Sequence, residues 1–222
     1  MASFHFLDKG TVDYRECWDL QEQLLNNVVA SKKETGKPTS LNYFLLVEHP
    51  HVYTLGKSGD EHNMLIHADF LKKINATFYK INRGGDITYH GPGQLVGYPI
   101  IDLDYYQIGV RQYIQKMEDA IIDTLAEYGI EGARREGATG VWLDASHKVR
   151  ARKICAIGVR VSRSVTMHGF ALNVNTELRY FNYINPCGFD PGTVTSLQQE
   201  TGKLIDMEEI KMLIREKFNL HY

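Results

Sequence analysis

Strand-like runs in this chain come in groups and not in turn with helices, and that ordering restricts the fold more than any single motif. Residues 13–30 place Tyr14, Cys17, Trp18, Leu24, Leu25, Val28 and Val29 at helical spacing, with Thr11 or Asp13 to cap them. The polar stretch SKKETGKPTS at 31–40 reads as a loop. Short strands are expected at 43–48 and 52–55, split by His49-Pro50, then at 77–82 and 95–101. A helix over 107–128 carries Ile108, Tyr113, Ile114, Met117, Ile121, Leu125 and Tyr128 on one face and stops before Gly129. Strands at 139–143, 153–161 and 167–174 follow, then a short one at 193–197 and a last helix opening at Asp206. Without βαβ alternation, the pattern predicts an α+β fold, a single domain over 1–222 with a mixed, largely antiparallel sheet and flanking helices.

At 222 residues such a chain buries roughly 70% of its unfolded surface, so the core needs no staples. Hydrophobic residues at 43% and charged residues at 23% exclude disorder. There is no apolar run of the roughly 18 residues a membrane span needs. The start, MASFHFLDKG, lacks a secretory pattern, and three cysteines are an odd, sparse set, so a reducing, cytoplasmic setting is expected. A net charge of −2 gives no bulk attraction to nucleic acid.

Residues 83–98 read RGGDITYHGPGQLVGY. Gly84-Gly85 and Gly91-Pro92-Gly93 let a ligand approach main-chain N–H groups, with the fixed charge of Arg83 and a titratable His90 beside them. The plain alternative is a hairpin connection whose polar groups satisfy one another. The segment is neither a phosphate loop nor a dinucleotide fingerprint. His49, His51, His62 and His67 near turns read as packing or surface residues, and no metal site is expected.

Three cysteines compete as a nucleophile. Cys17 lies on the apolar side of the first helix and reads as core. Cys155 lies mid-strand, where alternation puts Lys153, Cys155, Ile157, Val159 and Val161 on one face. Cys187 lies between Pro186 and Gly188 in a loop, where reactive groups are commoner. The residues alone leave Cys187 and Cys155 both open. Lys153 ends the basic run HKVRARK, which suits a solvated turn, yet its parity turns it toward the apolar face, where an amine exchanges protons near neutrality.

Arg83-Gly84-Gly85 with Thr88, Tyr89, His90, Gln94 and Tyr98 resembles the signature of the lipoyl(octanoyl) transferases. The segments EHPHVYTLG at 48–56, KICAIGVR at 153–160, HGFALNVN at 168–175, NPCGF at 185–189 and VTSL at 194–197 are similar to that family in the same order. Position 155 is Cys where a small apolar residue is expected, and position 189 is Phe where an aliphatic one is commoner.

The resemblance implies a fold like the biotin and lipoate protein ligases. It implies octanoyl transfer from acyl carrier protein to a lysine of lipoyl domains, in 2-oxoacid dehydrogenase complexes or the glycine cleavage H protein, without a cofactor. It further implies Cys187 as nucleophile and Lys153 as its partner. Substrate contacts are implied at Arg83, Gly84, Gly85, Asp86, Ile87, Thr88, Tyr89 and His90, at Ala156, Ile157 and Gly158, and at Gly169, Phe170 and Ala171. Small residues at 156, 158, 169 and 171 leave room for an acyl chain, or else serve close packing of the strands. Six cations at 148, 150, 152, 153, 160 and 163, with no acid among 147–163, form a local basic stretch that would steer an acidic partner. The rivals are an ATP-dependent lipoate ligase, which would not need Cys187, and a non-catalytic acyl-binding module.

Overall fold

A computed structural model describes residues 4–185 and 193–222. Its larger sheet has the order β1 (His5–Thr11), β2 (Tyr43–Glu48), β6 (Gln94–Ile100), β10 (Val165–Asn173), β9 (Arg152–Ser162), β8 (Ala138–Leu143) and β7 (Ala133–Arg135). The pair β1–β2 is parallel and the other neighbours are antiparallel. A smaller sheet has β3 (Val52–Leu55) between β4 (Thr77–Lys80) and β5 (Ile87–His90). The expected mixed, largely antiparallel α+β architecture is present.

Alternation along the strands builds two cores. Leu45, Val47, Val96, Tyr98 and Met167 meet Cys17, Leu24 and Val28 of α1 (Tyr14–Thr35) on one face. Phe44, Leu46, Leu95 and Leu172 meet Tyr113, Met117 and Ile121 of α4 (Val110–Ala126) on the other, with Ile210, Ile214 and Phe218 of α6 (Met207–His221).

The first helix starts where Asp13 accepts hydrogen bonds from the Arg15 and Glu16 N–H groups. It runs through Thr35, five residues into the segment read as a loop, and ends at Gly36 with φ of 63°. Lys and Glu are good helix formers, and Lys32 ties that last turn to Asp102 at 2.6 Å and Asp104 at 2.9 Å.

Three further differences from the sequence reading have local causes. β1 went unrecognised because HFLDKGT shows little alternation and lies largely exposed at the sheet edge. Residues 193–197 form no strand: Val194 makes an isolated parallel bridge to Lys153, and Ser196 caps α5 (Leu197–Thr201) by accepting from the Gln199 N–H. The glycine-rich segment contains β5, and its Gly91-Pro92-Gly93 turn carries the chain from the small sheet to the large one.

At Gly169, β10 crosses β6 so closely that a Cβ would overlap the Gly97 carbonyl oxygen and come within 2.9 Å of Pro99 Cδ. Both obstacles belong to the neighbouring strand β6 and cannot swing away. Gly169→Ala is expected to cost about 3 kcal/mol, read as a lowered Tm. Gly137→Ala meets open space and only the strain of φ +73°, so about 1 kcal/mol is expected there. Equal Tm values for the two variants would contradict this account.

Candidate active site

A cavity of about 330 Å³ is lined by strands of the large sheet on one side and by β5 with the preceding loop on the other. The large sheet contributes Val96, Ala156 and Ala171, the last two opposite one another in register. The loop at 83–86 is stitched down by the Lys57, Ser58 and Gly56 N–H groups, which donate to the carbonyls of Arg83, Gly85 and Asp86. Arg83 is 8% exposed and spends its guanidinium on the protein: Nη2 donates to Thr54 O at 2.8 Å and Nη1 to Gly84 O at 2.9 Å. Asp86 accepts from Asn63 Nδ2 at 2.7 Å.

Of the sequence-derived contacts, Arg83, Gly85, Asp86, Ile87, Thr88 and His90 line this cavity, as do Ala156, Ile157, Gly158, Gly169, Phe170 and Ala171. Gly84 and Tyr89 do not. The Gly84 N–H donates to Val159 O, so it is not one of the main-chain N–H groups left open to a ligand. Tyr89 points away, stacked on Tyr180 with centroids 5.0 Å apart and hydrogen-bonded to His51. The two glycines are explained by packing rather than by acyl room. Gly169 admits Gly97, and a Cβ on Gly158 would press on Gly84 O and Arg83 Cδ at 3.0 and 3.1 Å.

His90 does not titrate near neutrality. Its Nδ1–H donates to Gln94 Oε1 at 2.8 Å, while Gln94 Nε2 donates to Tyr89 O and Asn173 Oδ1. Burial pushes its pKa down to about 3. His49 is likewise held neutral: Nδ1–H donates to Val12 O, Nε2 accepts from the Tyr98 hydroxyl, and burial lowers its pKa to about 4. His168 donates from Nε2 to Asn82 Oδ1 at 3.0 Å, and its Nδ1 has no hydrogen-bond partner among the described residues.

Lys153 reaches the cavity by a route the sequence conceals. In the β8–β9 pair, Val141 faces Cys155 and Trp142 faces Lys153, so Ile154 is one residue too many. This bulge sends Ile154 and Cys155 into the α4-side core and leaves Lys153 on the cavity wall with Trp142. The alternation expected for Cys155, Ile157, Val159 and Val161 holds, and Lys153 departs from it. Cys155 is fully buried, and desolvation pushes its thiol far above the usual range. Burial pushes the Cys17 thiol up to about 12. Cys187 lies outside the described residues.

A model of the lipoyl protein ligase A/B catalytic domain matches residues 13–219. The chain belongs to that family. An octanoyltransferase from Christiangramia forsetii is 55% identical over 214 residues, covering 94% of this chain and 91% of the relative. Among solved structures, the bipartite lipoate protein ligase of Thermoplasma acidophilum superposes with a TM-score of 0.72 at 13% identity, covering all of this chain and 84% of that one. Biotin protein ligase from Aquifex aeolicus gives 0.54 at 12% identity, covering 98% and 69%. The lipoyl ligase A/B assignment thus agrees with the fold that the sequence pointed to.

Within this lipoyl ligase A/B domain, several cavity residues escaped the sequence reading. Tyr14 enters from the first turn of α1, Trp142 from β8 and Asn173 from β10. His168 lines the cavity from a backbone at φ +58°, a conformation that alternation does not foresee. The basic stretch is only partly available to a partner. Arg152 is bound to Asp144 and Glu200, both at 2.5 Å, and Arg160 lies 3.6 Å from Glu22. Lys148 and Arg150 are exposed and make no ion pair among the described residues. No described helix is long and apolar enough to cross a membrane.

Proposed function

We propose that this chain, acting in the cytoplasm as one catalytic domain, moves an octanoyl group from acyl carrier protein through a thioester on Cys187 to a lysine amine of lipoyl domains. The observation that carries the reading is 55% identity over 94% of the chain to a relative named octanoyltransferase. The cavity supports it, being apolar at Val96, Ala156, Phe170 and Ala171. The seven alkyl carbons of an octanoyl chain are worth roughly 5–6 kcal/mol when buried there, at ~0.8 kcal/mol each.

A thiol of pKa ~8.5 is only about 3% ionised at pH 7. Lys153 takes the Cys187 proton and, as the ammonium, stabilises the thiolate that attacks the thioester carbonyl. The carrier's phosphopantetheine thiolate leaves with that proton, so the acyl-enzyme holds a neutral Lys153. The acceptor amine then attacks, Lys153 removes its proton as general base, and the Cys187 thiolate is released. Thr193, which follows Cys187 closely in sequence, lines the same cavity as Lys153, in support of this pairing. The donor is already a thioester, so no nucleotide is consumed. The partners are octanoyl-acyl carrier protein and the lipoyl domains of 2-oxoacid dehydrogenase complexes or the glycine cleavage H protein.

The test supplies an apo lipoyl domain with octanoyl-carrier protein in one arm and with free octanoate plus ATP in the other. Mass spectrometry is expected to find octanoylated lysine in the first arm alone. Product in the second arm alone would make the protein a ligase, and binding without product in either would make it an acyl-binding module.

A further inference from the structure

Trp142 stands between two cations carried by its neighbouring strands. The Lys153 Nζ on β9 lies 4.7 Å from the centroid of its ring, and the Arg135 Cζ on β7 lies 5.1 Å from it. Trp142 and Lys153 are register partners, and both line the cavity. The indole is fixed in position. It is 1% exposed, and its Nε1–H donates to Ala138 O at 2.9 Å. The hairpin beneath it is clamped by the buried Glu118 of α4, which accepts from the Gly140 N–H at 3.0 Å and from Arg134 Nε at 2.8 Å.

A lysine ammonium on a four-carbon stem populates many rotamers unless something holds it. An aromatic face attracts the cation and not the neutral amine, and the attraction grows where water is excluded. We infer that Trp142 is a positioning residue for Lys153: its indole face holds the ammonium on the cavity wall and sets how readily that group gives up its proton. The inference rests on the reading of Lys153 as the partner of Cys187. Arg135 acts against the indole, since a second cation at the same ring disfavours a charged Lys153.

Other charged and titratable groups among the described residues share the cavity with the ammonium. Arg83 and Asp86 line the cavity from the small-sheet side. His90 and His168 line it in their neutral forms. Cys155, two residues along the same strand, turns a protonated thiol to the core. Within 186–192 the titratable residues are Cys187 and Asp190, outside the described residues.

The test compares Trp142→Phe, Trp142→Leu, Arg135→Gln and Lys153→Ala in the full chain, with octanoyl-carrier protein and a lipoyl domain as substrates. The Lys153 pKa is read by ¹³C-lysine NMR, its signal being the one missing from Lys153→Ala. Trp142→Leu is expected to lower that pKa by about one unit and kcat about tenfold, with KM for the donor little changed. Trp142→Phe, which restores a π face, is expected to recover most of both. Arg135→Gln is expected to raise the pKa. A Lys153 pKa that stays put in Trp142→Leu overturns the inference. If that variant does not fold, an unmoved pKa in Arg135→Gln overturns it instead. Full activity in Lys153→Ala would instead remove the dyad reading beneath it, a separate failure with its own signature.

Discussion

Intact-protein mass spectrometry after incubation with octanoyl-carrier protein is expected to find an octanoyl adduct that Cys187→Ala lacks, and turnover of that variant should fall by about 10⁴-fold or more. The size follows from what a covalent nucleophile does. It divides one hard transfer into two easier ones, and an alanine side chain cannot carry the acyl group. Among the described residues the remaining thiols are poor substitutes. Cys155 sits in the core beside Ile154 and Val141, and Cys17 sits on the buried face of α1, each held protonated by burial. Cys155→Ala should therefore keep both adduct and turnover. An adduct that survives in Cys187→Ala and vanishes in Cys155→Ala would reverse the assignment. Product formation with no adduct in any protein would sink the covalent route.

The second large effect is on stability in mild acid. His49, His90 and His168 are 0%, 6% and 1% exposed, and burial lowers their pKa values to about 4, 3 and 3. A histidine in the unfolded chain titrates near 6.5, so below that pH the unfolded state binds protons that the folded state refuses. Stability is therefore complete above pH 6.5 and is lost as pH falls toward the folded values. Each imidazole costs about 1.4 kcal/mol per pH unit in that window, or about 2 kcal/mol at pH 5. Together they remove on the order of 6 kcal/mol, comparable with the whole stability of an ordinary domain. Thermal melts between pH 7 and pH 5 should show a steep fall in Tm, and His90→Gln should make that fall shallower. A Tm that is level across this range would contradict the neutral burial of these rings.

The parts of this protein that regular periodicity governs were legible beforehand. β2 and β3 lie where two short strands split by the His49-Pro50 break were expected, and α4 keeps its apolar face within the expected span. The glycine-rich motif led to the cavity, and ten more of the implied substrate contacts beyond Arg83 and His90 line it too. What escaped notice depends on contacts between distant segments. β1 exists because β2 offers it a parallel partner, and Tyr14 reaches the site because α1 crosses the sheet there. Lys153 was read onto the face of Cys155 by an alternation that the bulge at Ile154 breaks, so its orientation was misread. His90 was read as titratable because a sequence does not show how completely a ring will be shut away from water.

That single extra residue at Ile154 also works as chemical insulation. A second thiol within reach of a loaded thioester competes for the acyl group, and a cysteine two positions from the proposed catalytic lysine would ordinarily share its face. Here the amine and the Cys155 thiol open onto opposite sides of one sheet. On the proposed route, the chain can therefore keep a cysteine next to its lysine without opening a dead-end branch for the cargo.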